Sequence, residues 1–231
     1  MFYNQFRPLR FSDVLGQPVV SILQAQAKTH TFGHSYLFAG SSGSGKTTTA
    51  RILAMALECR NMNGTGEPCG ICPDCRNIVK GSHWDVLELD AGRFRGIDDM
   101  KDLLWKCQYS PMSRYKVLII DEAHNITSAG FDAMLKTLEE PPPHLVLILC
   151  TTQLDRIPQT VRSRCQFFPF KPLEPVTIKA KLKRINDNLS APLADRELDM
   201  ILAKQASQNT EGNCRAAENL MEQVLACERA R

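Results

Sequence analysis

The chain has 231 residues, a formal net charge of +3, 43% hydrophobic residues and 23% charged residues. These values are typical of a globular protein, and the charge is too small to indicate nucleic-acid binding by itself. Residues 1–7 lack the apolar run of a secretory signal, and no stretch reaches the roughly 18 apolar residues that a membrane span requires, so we expect a cytoplasmic protein with no membrane partner.

The N-terminal segment predicts an arm, a helix and the first strand of a sheet. Pro18 opens an amphipathic run that continues to Ala27. Proline suits the first turn of a helix because its missing N–H would have no intrahelical partner there. The short apolar stretch 36–39 that follows is typical of a strand.

A phosphate-binding motif lies between that strand and the next helix. Residues 40–47 match G-x-x-x-x-G-K-[ST], and apolar residues at helical spacing follow. The glycines let backbone N–H groups approach phosphate oxygens, and the helix N-terminus attracts the same anion. A plain Gly/Ser-rich junction is the alternative, but both flanks fit the motif. We therefore predict a nucleoside triphosphate site, with Lys46 on the β- and γ-phosphates and Thr47 on Mg²⁺. Its predicted binding residues are Gly40, Ser41, Gly43, Ser44, Gly45, Lys46, Thr47 and Thr48.

A cysteine-bearing insert spans about residues 58–81. The chain has nine cysteines, and an odd count without a secretory signal indicates reduced thiols. Cys59, Cys69, Cys72 and Cys75 are spaced so that four thiolates can surround one ion, which suits structural, tetrahedral Zn²⁺. Fe–S clusters also use four cysteines, but nothing else indicates electron transfer, so we predict zinc.

The other cysteines and the histidines near these motifs have simpler interpretations. We expect surface or capping positions for His34, His83 and His144. The remaining cysteines are expected to be small buried hydrophobic residues. They are Cys107, Cys150, Cys165, Cys214 and Cys227.

Two carboxylates end the most apolar strand of the chain. A strand over 84–89 and a helix over 97–107 precede the apolar run 116–120, which stops at Asp121 and Glu122. Ligands of such folds bind outside the carboxyl ends of the strands, where Asp121 can hold Mg²⁺ and Glu122 can deprotonate the attacking water. The alternative is a pair of solvated carboxylates at a helix start.

The remaining elements predict an α/β core followed by a helical segment. A helix over 128–138 ends before three prolines, and apolar strands are expected at 145–150 and 166–170. Strands without polar alternation that alternate with helices indicate a parallel sheet with both faces covered. Only helices follow Pro172, at about 174–189, 193–207 and 213–229. We place the domain boundary there, with a core over 1–171 and a helical domain over 172–231.

Two arginines are candidate phosphate ligands. Arg164 is too close to the last strand to fold easily onto its own phosphate loop, so we interpret it as a group supplied to a neighbour's γ-phosphate. Arg215 opens the last helix, where a cation is mildly unfavourable and a phosphate partner is plausible. A surface arginine is the alternative in both cases.

Taken together, these motifs resemble one family over nearly the whole chain. The AAA+ module of the bacterial DNA polymerase III clamp loader, specifically its gamma/tau subunit, carries the same combination. The residues that carry the resemblance are Phe11-x-Asp13-Val14-x-Gly16-Gln17, the phosphate loop, the four cysteines, Asp121-Glu122-Ala123-His124, Leu135 to Pro142, Thr151-Thr152 and Ser163-Arg164-Cys165.

The resemblance implies a fold, roles and partners. It implies an AAA+ P-loop NTPase with a three-helix lid that hydrolyses ATP with Mg²⁺ and carries structural Zn²⁺. It also implies a ring-like heteropentamer with other clamp-loader subunits, a sliding clamp and primer-template DNA. Thr152 matches the family's sensor, Arg164 its trans-acting arginine finger and Arg215 the lid's second sensor. The residues that match the adenine pocket are Arg7, Pro8, Val14 and Gln17.

Two features distinguish the possible members of this family. The helical collar domain of gamma/tau is not found in these 231 residues, so the chain is either part of a longer protein or a short member that assembles otherwise. The sister delta-prime subunit characteristically has a degenerate phosphate loop. Because this loop and Asp121-Glu122 are intact, we expect a hydrolysing subunit, and a nucleotide-binding stator of the delta-prime type is the alternative. A zinc-ribbon nucleic-acid reader is weakly supported, because the insert lacks aromatic residues for base stacking.

Overall fold

The computed structural model describes residues 1–93, 97–189, 192–210 and 212–229. Within these residues, five strands form one sheet in the order β2-β3-β4-β1-β5, and every neighbouring pair is parallel. This confirms the predicted α/β class. The strands are β1 (Ser35–Gly40), β2 (Val86–Asp90), β3 (Lys116–Asp121), β4 (Leu145–Thr151) and β5 (Gln166–Phe170).

Helices connect the strands and follow the last one. Short 3₁₀ turns occur at Phe11–Asp13, Ala123–Asn125 and Leu154–Arg156. In the part of the chain that the structure describes, none of the helices has both the length and the apolar character needed to cross a membrane. The helices are α1 (Phe2–Gln5), α2 (Val19–Thr29), α3 (Lys46–Glu58), α4 (Pro73–Lys80), α5 (Ile97–Cys107), α6 (Ser128–Glu139), α7 (Gln159–Arg162), α8 (Pro175–Asn186), α9 (Asp195–Ser207) and α10 (Cys214–Arg229).

The sheet is buried on both faces, which explains the continuous apolar strands. On β1, Tyr36 and Phe38 belong to the cluster that contains α3, whereas Leu37 belongs to the cluster beneath α5 and α6. Neighbouring strands alternate in the same way, because successive side chains of a strand point to opposite faces. A strand covered on both sides gains from apolar residues at every position.

The start of β2 differs from the prediction. Trp84 was expected to begin this strand, but it is 82% exposed and the strand begins at Val86. Asp85 is buried, and its carboxylate accepts hydrogen bonds from the backbone N–H groups of Met112 and Ser113 at 2.8 and 2.9 Å. Position 85 therefore anchors the loop before β3, and the ladder starts after it.

The three C-terminal helices share a hydrophobic cluster of their own. Leu182 of α8, Leu198 of α9 and Met221 of α10 are fully buried in it. Phe2 and Phe6 at the N-terminus pack against the same cluster. The predicted helical domain also includes residues 190–191, 211 and 230–231, and the predicted core includes 94–96, all of which lie outside the described residues.

Candidate functional site

The phosphate loop joins the carboxyl end of β1 to the N-terminus of α3. Gly43 and Gly45 have φ values of 73° and 103°, in the region that favours glycine. A Cβ atom on Gly43 would lie 1.9 Å from Oδ1 of Asn213, the residue that precedes α10. The loop is thus left-handed at two points and in close contact with the last helix, which only glycine at position 43 permits.

Lys46 is folded against this loop. Its ammonium group donates hydrogen bonds of 2.8 Å to the carbonyl oxygens of Gly40 and Ser41, and the residue is only 6% exposed. Burial lowers the pKa of Lys46, against the raising effect of Cys150, Asp121 and other nearby groups. An ammonium group held in this position has a strong electrostatic reason to bind an anion.

Thr47 and Asp121 meet at the carboxyl edge of the sheet. Thr47 Oγ1 donates to Asp121 Oδ2 at 2.9 Å, although β4 lies between β1 and β3. The other oxygen, Asp121 Oδ1, accepts the backbone N–H of Glu122 at 3.0 Å. A hydroxyl and a carboxylate beside a phosphate loop are the oxygen ligands that Mg²⁺ uses in such sites, so these two residues fit the predicted ion.

Glu122 is held by Thr152, which follows β4, and by His124 of the turn after β3. Its backbone is left-handed (φ 48°), and Thr152 Oγ1 donates to its Oε2 at 3.1 Å. Nδ1 of His124 lies 3.3 Å from the same oxygen and 3.3 Å from Thr151 Oγ1. The structure therefore brings the predicted sensor and the predicted base together. The sequence alone predicts no separate role for His124, since its contacts depend on the turn after β3.

The cleft beside the loop is lined by residues that are distant in the sequence. Arg7, Pro8 and Arg215 line it together with the loop, including Gly43, Gly45, Lys46, Thr47 and Thr48. Val14 lines an adjoining pocket with Ser44, Gly45 and Thr48. Apart from Gln17, Gly40 and Ser41, the residues predicted to bind the nucleotide itself therefore line one of these two depressions, whereas Asp121, Glu122 and Thr152 are not among the lining residues.

Gln17 is buried between the phosphate loop and the end of β5. It is 5% exposed, and its Nε2 donates to the carbonyl oxygens of Ser44 and Lys171 at 3.1 and 2.7 Å. Its Oε1 accepts the Lys171 N–H at 3.1 Å. Since both ends of the amide bond to backbone groups, Gln17 connects the phosphate loop to the end of β5.

Arg215 reaches the cleft from the start of α10. Its guanidinium carbon lies 5.5 Å from the centroid of the Tyr3 ring, a cation–π distance. Glu218, one turn along the same helix, also lines the cleft and is paired with Lys181 of α8 at 2.5 Å. The Tyr3 ring thus stabilises the Arg215 guanidinium in a position that faces the phosphate loop.

Arg164 lies away from its own phosphate loop. It precedes Gln166, whereas the loop begins beside Phe170, so about 13 Å of strand separates the two ends at ~3.3 Å per residue. Its guanidinium donates to Glu139 Oε1 at 2.5 Å and to the Thr160 carbonyl oxygen at 2.7 Å. In this chain alone, the arginine is an exposed residue paired with a local carboxylate.

The four cysteines of the insert converge. Their Sγ atoms all lie within 4.8 Å of one another, close to the edge of about 3.8 Å of a tetrahedron with Zn–S bonds of ~2.3 Å. Burial raises the pKa of Cys59 and Cys75, and for Cys69 the N–H groups of Ile71 and Cys72 outweigh burial and lower its pKa to about 7. Four sulfurs this close together fit the tetrahedral shell of one metal ion, so these residues could hold a metal.

Some of the other histidines and cysteines lie differently from the expectation. Of the surface or capping positions expected for His83, the surface position is wrong: the residue is buried, its Nε2 lies 3.6 Å from Asp74 Oδ1, and its Nδ1 accepts the Asp85 N–H at 3.2 Å. It packs between the insert and β2 for that reason. Cys227 is exposed, because it lies on the outer side of α10, and Cys165 is only half-buried.

Comparison with protein families gives a direct assignment. Residues 16–174 match the family model described as DNA polymerase III, delta subunit. The chain belongs to this family.

Curated relatives carry names from the same enzyme. The tau subunit of Bacillus subtilis DNA polymerase III is 39% identical over 226 residues, which cover 97% of this chain and 39% of that protein. The Escherichia coli tau subunit is 40% identical over 227 residues, covering 96% and 34%. The chain thus spans about two fifths or less of the length of these relatives. The family model is described as the delta subunit, and these relatives are named as tau subunits, of DNA polymerase III. Because both are subunits of that polymerase, the matches confirm the resemblance to its clamp-loader module.

Solved structures show the same fold at low sequence identity. The RuvB Holliday junction branch migration motor of Thermotoga maritima has a TM-score of 0.68 at 21% identity, covering 95% of this chain and 65% of that one. This similarity, together with the phosphate loop and the parallel sheet, confirms the AAA+ fold.

Proposed function

We propose that this chain is an ATP-hydrolysing module of the DNA polymerase III clamp loader, which uses ATP to place a sliding clamp on primer-template DNA. The proposal includes the other clamp-loader subunits as partners in a heteropentameric ring, a cytoplasmic location and structural zinc on the four cysteines. It divides the chain into an AAA+ core over 1–171 and a three-helix lid over 172–231. The curated names of the relatives support this assignment.

One observation carries the hydrolytic part of the proposal. An intact phosphate loop lies beside two bonded pairs, Thr47 with Asp121 and Thr152 with Glu122. When bound, Mg²⁺ would offset the negative charge of the phosphates. Thr47 and Asp121 would hold that ion, Lys46 would bind the terminal phosphates, and Glu122 would take a proton from the attacking water.

The lid would complete the site from the other side. Arg215 faces the phosphate loop from α10, and Gly43 touches Asn213, so a change at the phosphates can move α10. Arg164 would act on the γ-phosphate of a neighbouring subunit, since it lies far from its own loop. This arrangement would make hydrolysis depend on assembly.

The alternative is a nucleotide-binding stator that does not hydrolyse ATP. The family description names the delta subunit, which keeps this alternative open. The intact loop and Glu122 favour hydrolysis, because a stator has no need of a positioned base.

Replacing Glu122 by Gln distinguishes the two functions. With the other clamp-loader subunits, clamp and primed DNA present, we expect Glu122→Gln to bind ATP as the wild type does, because Thr47 and Asp121 remain. Phosphate release should fall by roughly 10²–10⁴-fold, the usual contribution of a general base. The exposed Glu140→Gln variant is the matched control. Equal phosphate release by wild type and Glu122→Gln would favour the stator.

A further inference from the structure

A buried carboxylate links the cysteine insert to the N-terminal arm, which we define as residues 7–14. Glu67 is 6% exposed. Its Oε2 accepts the backbone N–H of Phe11 at 2.7 Å, and its Oε1 accepts the N–H of Ser12 at 3.0 Å. These N–H groups begin the 3₁₀ turn Phe11–Asp13, where the first donors of a helix have no partner within it. Glu67 therefore caps this turn from 55 and 56 residues away.

The capped turn positions residues of the nucleotide cleft. Arg7 and Pro8, which precede it, line the cleft with Lys46 and Thr47. Val14, which follows it, lines the adjoining pocket with Thr48. Any loosening of the turn would move both sides of the arm relative to the phosphate loop.

The loop that carries Glu67 is closed at both ends by metal-ligand candidates. Cys59 and Cys69 flank it, and the N–H of Cys69 donates to Cys59 Sγ at 3.3 Å. Its middle packs on α2: Gln24 Nε2 donates to the Thr65 carbonyl oxygen at 3.2 Å. A Cβ atom on Gly66 would lie 2.4 Å from the Gln24 carbonyl oxygen, so the loop lies directly on the helix.

We propose that Glu67 is a positioning residue through which the metal-bound insert holds the N-terminal arm in its nucleotide-binding place. The insert thereby supports the nucleotide cleft as well as its own fold. Closing the loop at Cys59 and Cys69 restricts where Glu67 can lie, and its two charged hydrogen bonds pass this restriction to Phe11 and Ser12. Hydrogen bonds to an ionised group are stronger than neutral ones, which suits this coupling.

The test uses zinc-loaded protein and two independent measurements. In Glu67→Gln, the amide N–H₂ group faces one of the two backbone donors, Phe11 or Ser12. The hydrogen bond from that donor is lost, while the side chain keeps its shape. We expect hydrogen exchange of the peptide covering residues 7–14 to be about ten-fold faster than in wild type without nucleotide. Exchange of β4 should be unchanged, zinc content should stay at about one per chain, and Glu140→Gln should behave as the wild type.

The second measurement depends on the proposed function and is read separately. The dissociation constant of a fluorescent ATP analogue should rise about ten-fold in Glu67→Gln. Removing zinc from the wild type with a chelator should weaken binding and speed exchange of the arm, with a smaller added effect in Glu67→Gln because the link is already cut.

Different outcomes identify which idea fails. If the wild type binds no nucleotide, the proposed function is wrong, and arm exchange alone still decides the role of Glu67. The inference is overturned if Glu67→Gln leaves arm exchange unchanged. It is also overturned if the effects of zinc removal and of the substitution on arm exchange simply multiply.

Discussion

The surroundings of the Lys46 side chain are the clearest indication of a phosphate-binding role for a single residue. Its ammonium group is buried and bonded to two carbonyl oxygens of the loop, and burial lowers its pKa. A phosphate group at the loop would give this cation a full negative charge as partner. The same local geometry explains why Thr47 and the loop glycines are needed beside it.

Lys46→Ala should abolish ATP binding. The β- and γ-phosphates lose the ammonium of the loop, so we expect affinity to fall by at least about 100-fold, on the order of 3 kcal/mol at ~1.4 kcal/mol per ten-fold. Titration with a fluorescent ATP analogue measures this, and Lys106→Ala, at an exposed lysine of α5, is the control. Affinity within a few-fold of wild type would refute the assignment of the phosphate loop.

Single-residue roles could be predicted where they follow from a local motif. The phosphate loop and Asp121-Glu122 were found in this way, because spacing and flanking elements define them. The backbone contacts of Gln17 and Glu67 could not be predicted, since both side chains bind backbone groups of residues far away in the sequence. The family resemblance placed Gln17 only in the segment of the adenine pocket. A polar side chain that serves distant backbone leaves no periodic or local pattern.

At the scale of elements, the insert is a small unit attached to the end of α3. Cys59 is the C-cap residue of α3, and Cys75 lies within α4. The hydrophobic cluster around α3 also includes Cys72 and Ile78. A metal on the four thiolates would therefore join the end of the phosphate-loop helix to the insert, and its binding free energy would add to folding.

Cys72→Ser should lower stability and remove the metal. We expect about one zinc per chain in wild type and a melting temperature lower by at least ~5 °C in the variant, since roughly 2–4 °C is lost per kcal/mol in a domain of 150–250 residues. Metal analysis and calorimetry measure these quantities. Cys227→Ser, at an exposed cysteine, should change neither.

The zinc assignment would be contradicted if protein purified without chelator carried an iron chromophore or no metal. An unchanged melting temperature in Cys72→Ser would likewise show that the insert folds without the thiolate of Cys72.

Most elements could be predicted to within a few residues, because apolar runs and prolines mark them. The strand order β2-β3-β4-β1-β5 could not, since a hydrophobic run shows that a strand is buried and not which strand lies beside it. The start of β2 could not be predicted for a similar reason. Trp84 has a residue type that is common in strands, so the sequence pattern does not distinguish it from the first residue of the strand. The buried His83 depends on Asp74 of the insert, a contact created by the fold.

At the scale of the whole molecule, the proposed cleft lies where the core and the last three helices meet. Arg215 and Asn213 approach the phosphate loop from the helical side, and Phe2 and Phe6 at the N-terminus join the same helical cluster. Nucleotide in this cleft would touch both parts of the chain. Arg164 precedes the opposite end of β5 and is paired with Glu139, so it would have to leave Glu139 to act on a neighbouring molecule.

We propose that efficient hydrolysis requires a neighbouring subunit, and the Arg164→Ala substitution distinguishes this from hydrolysis by the chain alone. Steady-state ATP turnover is measured for the isolated chain and for the reconstituted clamp loader, each with wild type, Arg164→Ala and the exposed control Arg76→Ala. We expect slow turnover by the isolated chain with or without Arg164, and unchanged nucleotide affinity. In the assembly, Arg164→Ala should lower turnover at the adjoining site. Such arginines contribute roughly 10³-fold or more in GTPases. An equal loss in the isolated chain and in the assembly would contradict the account, because Arg164 would then act on its own subunit.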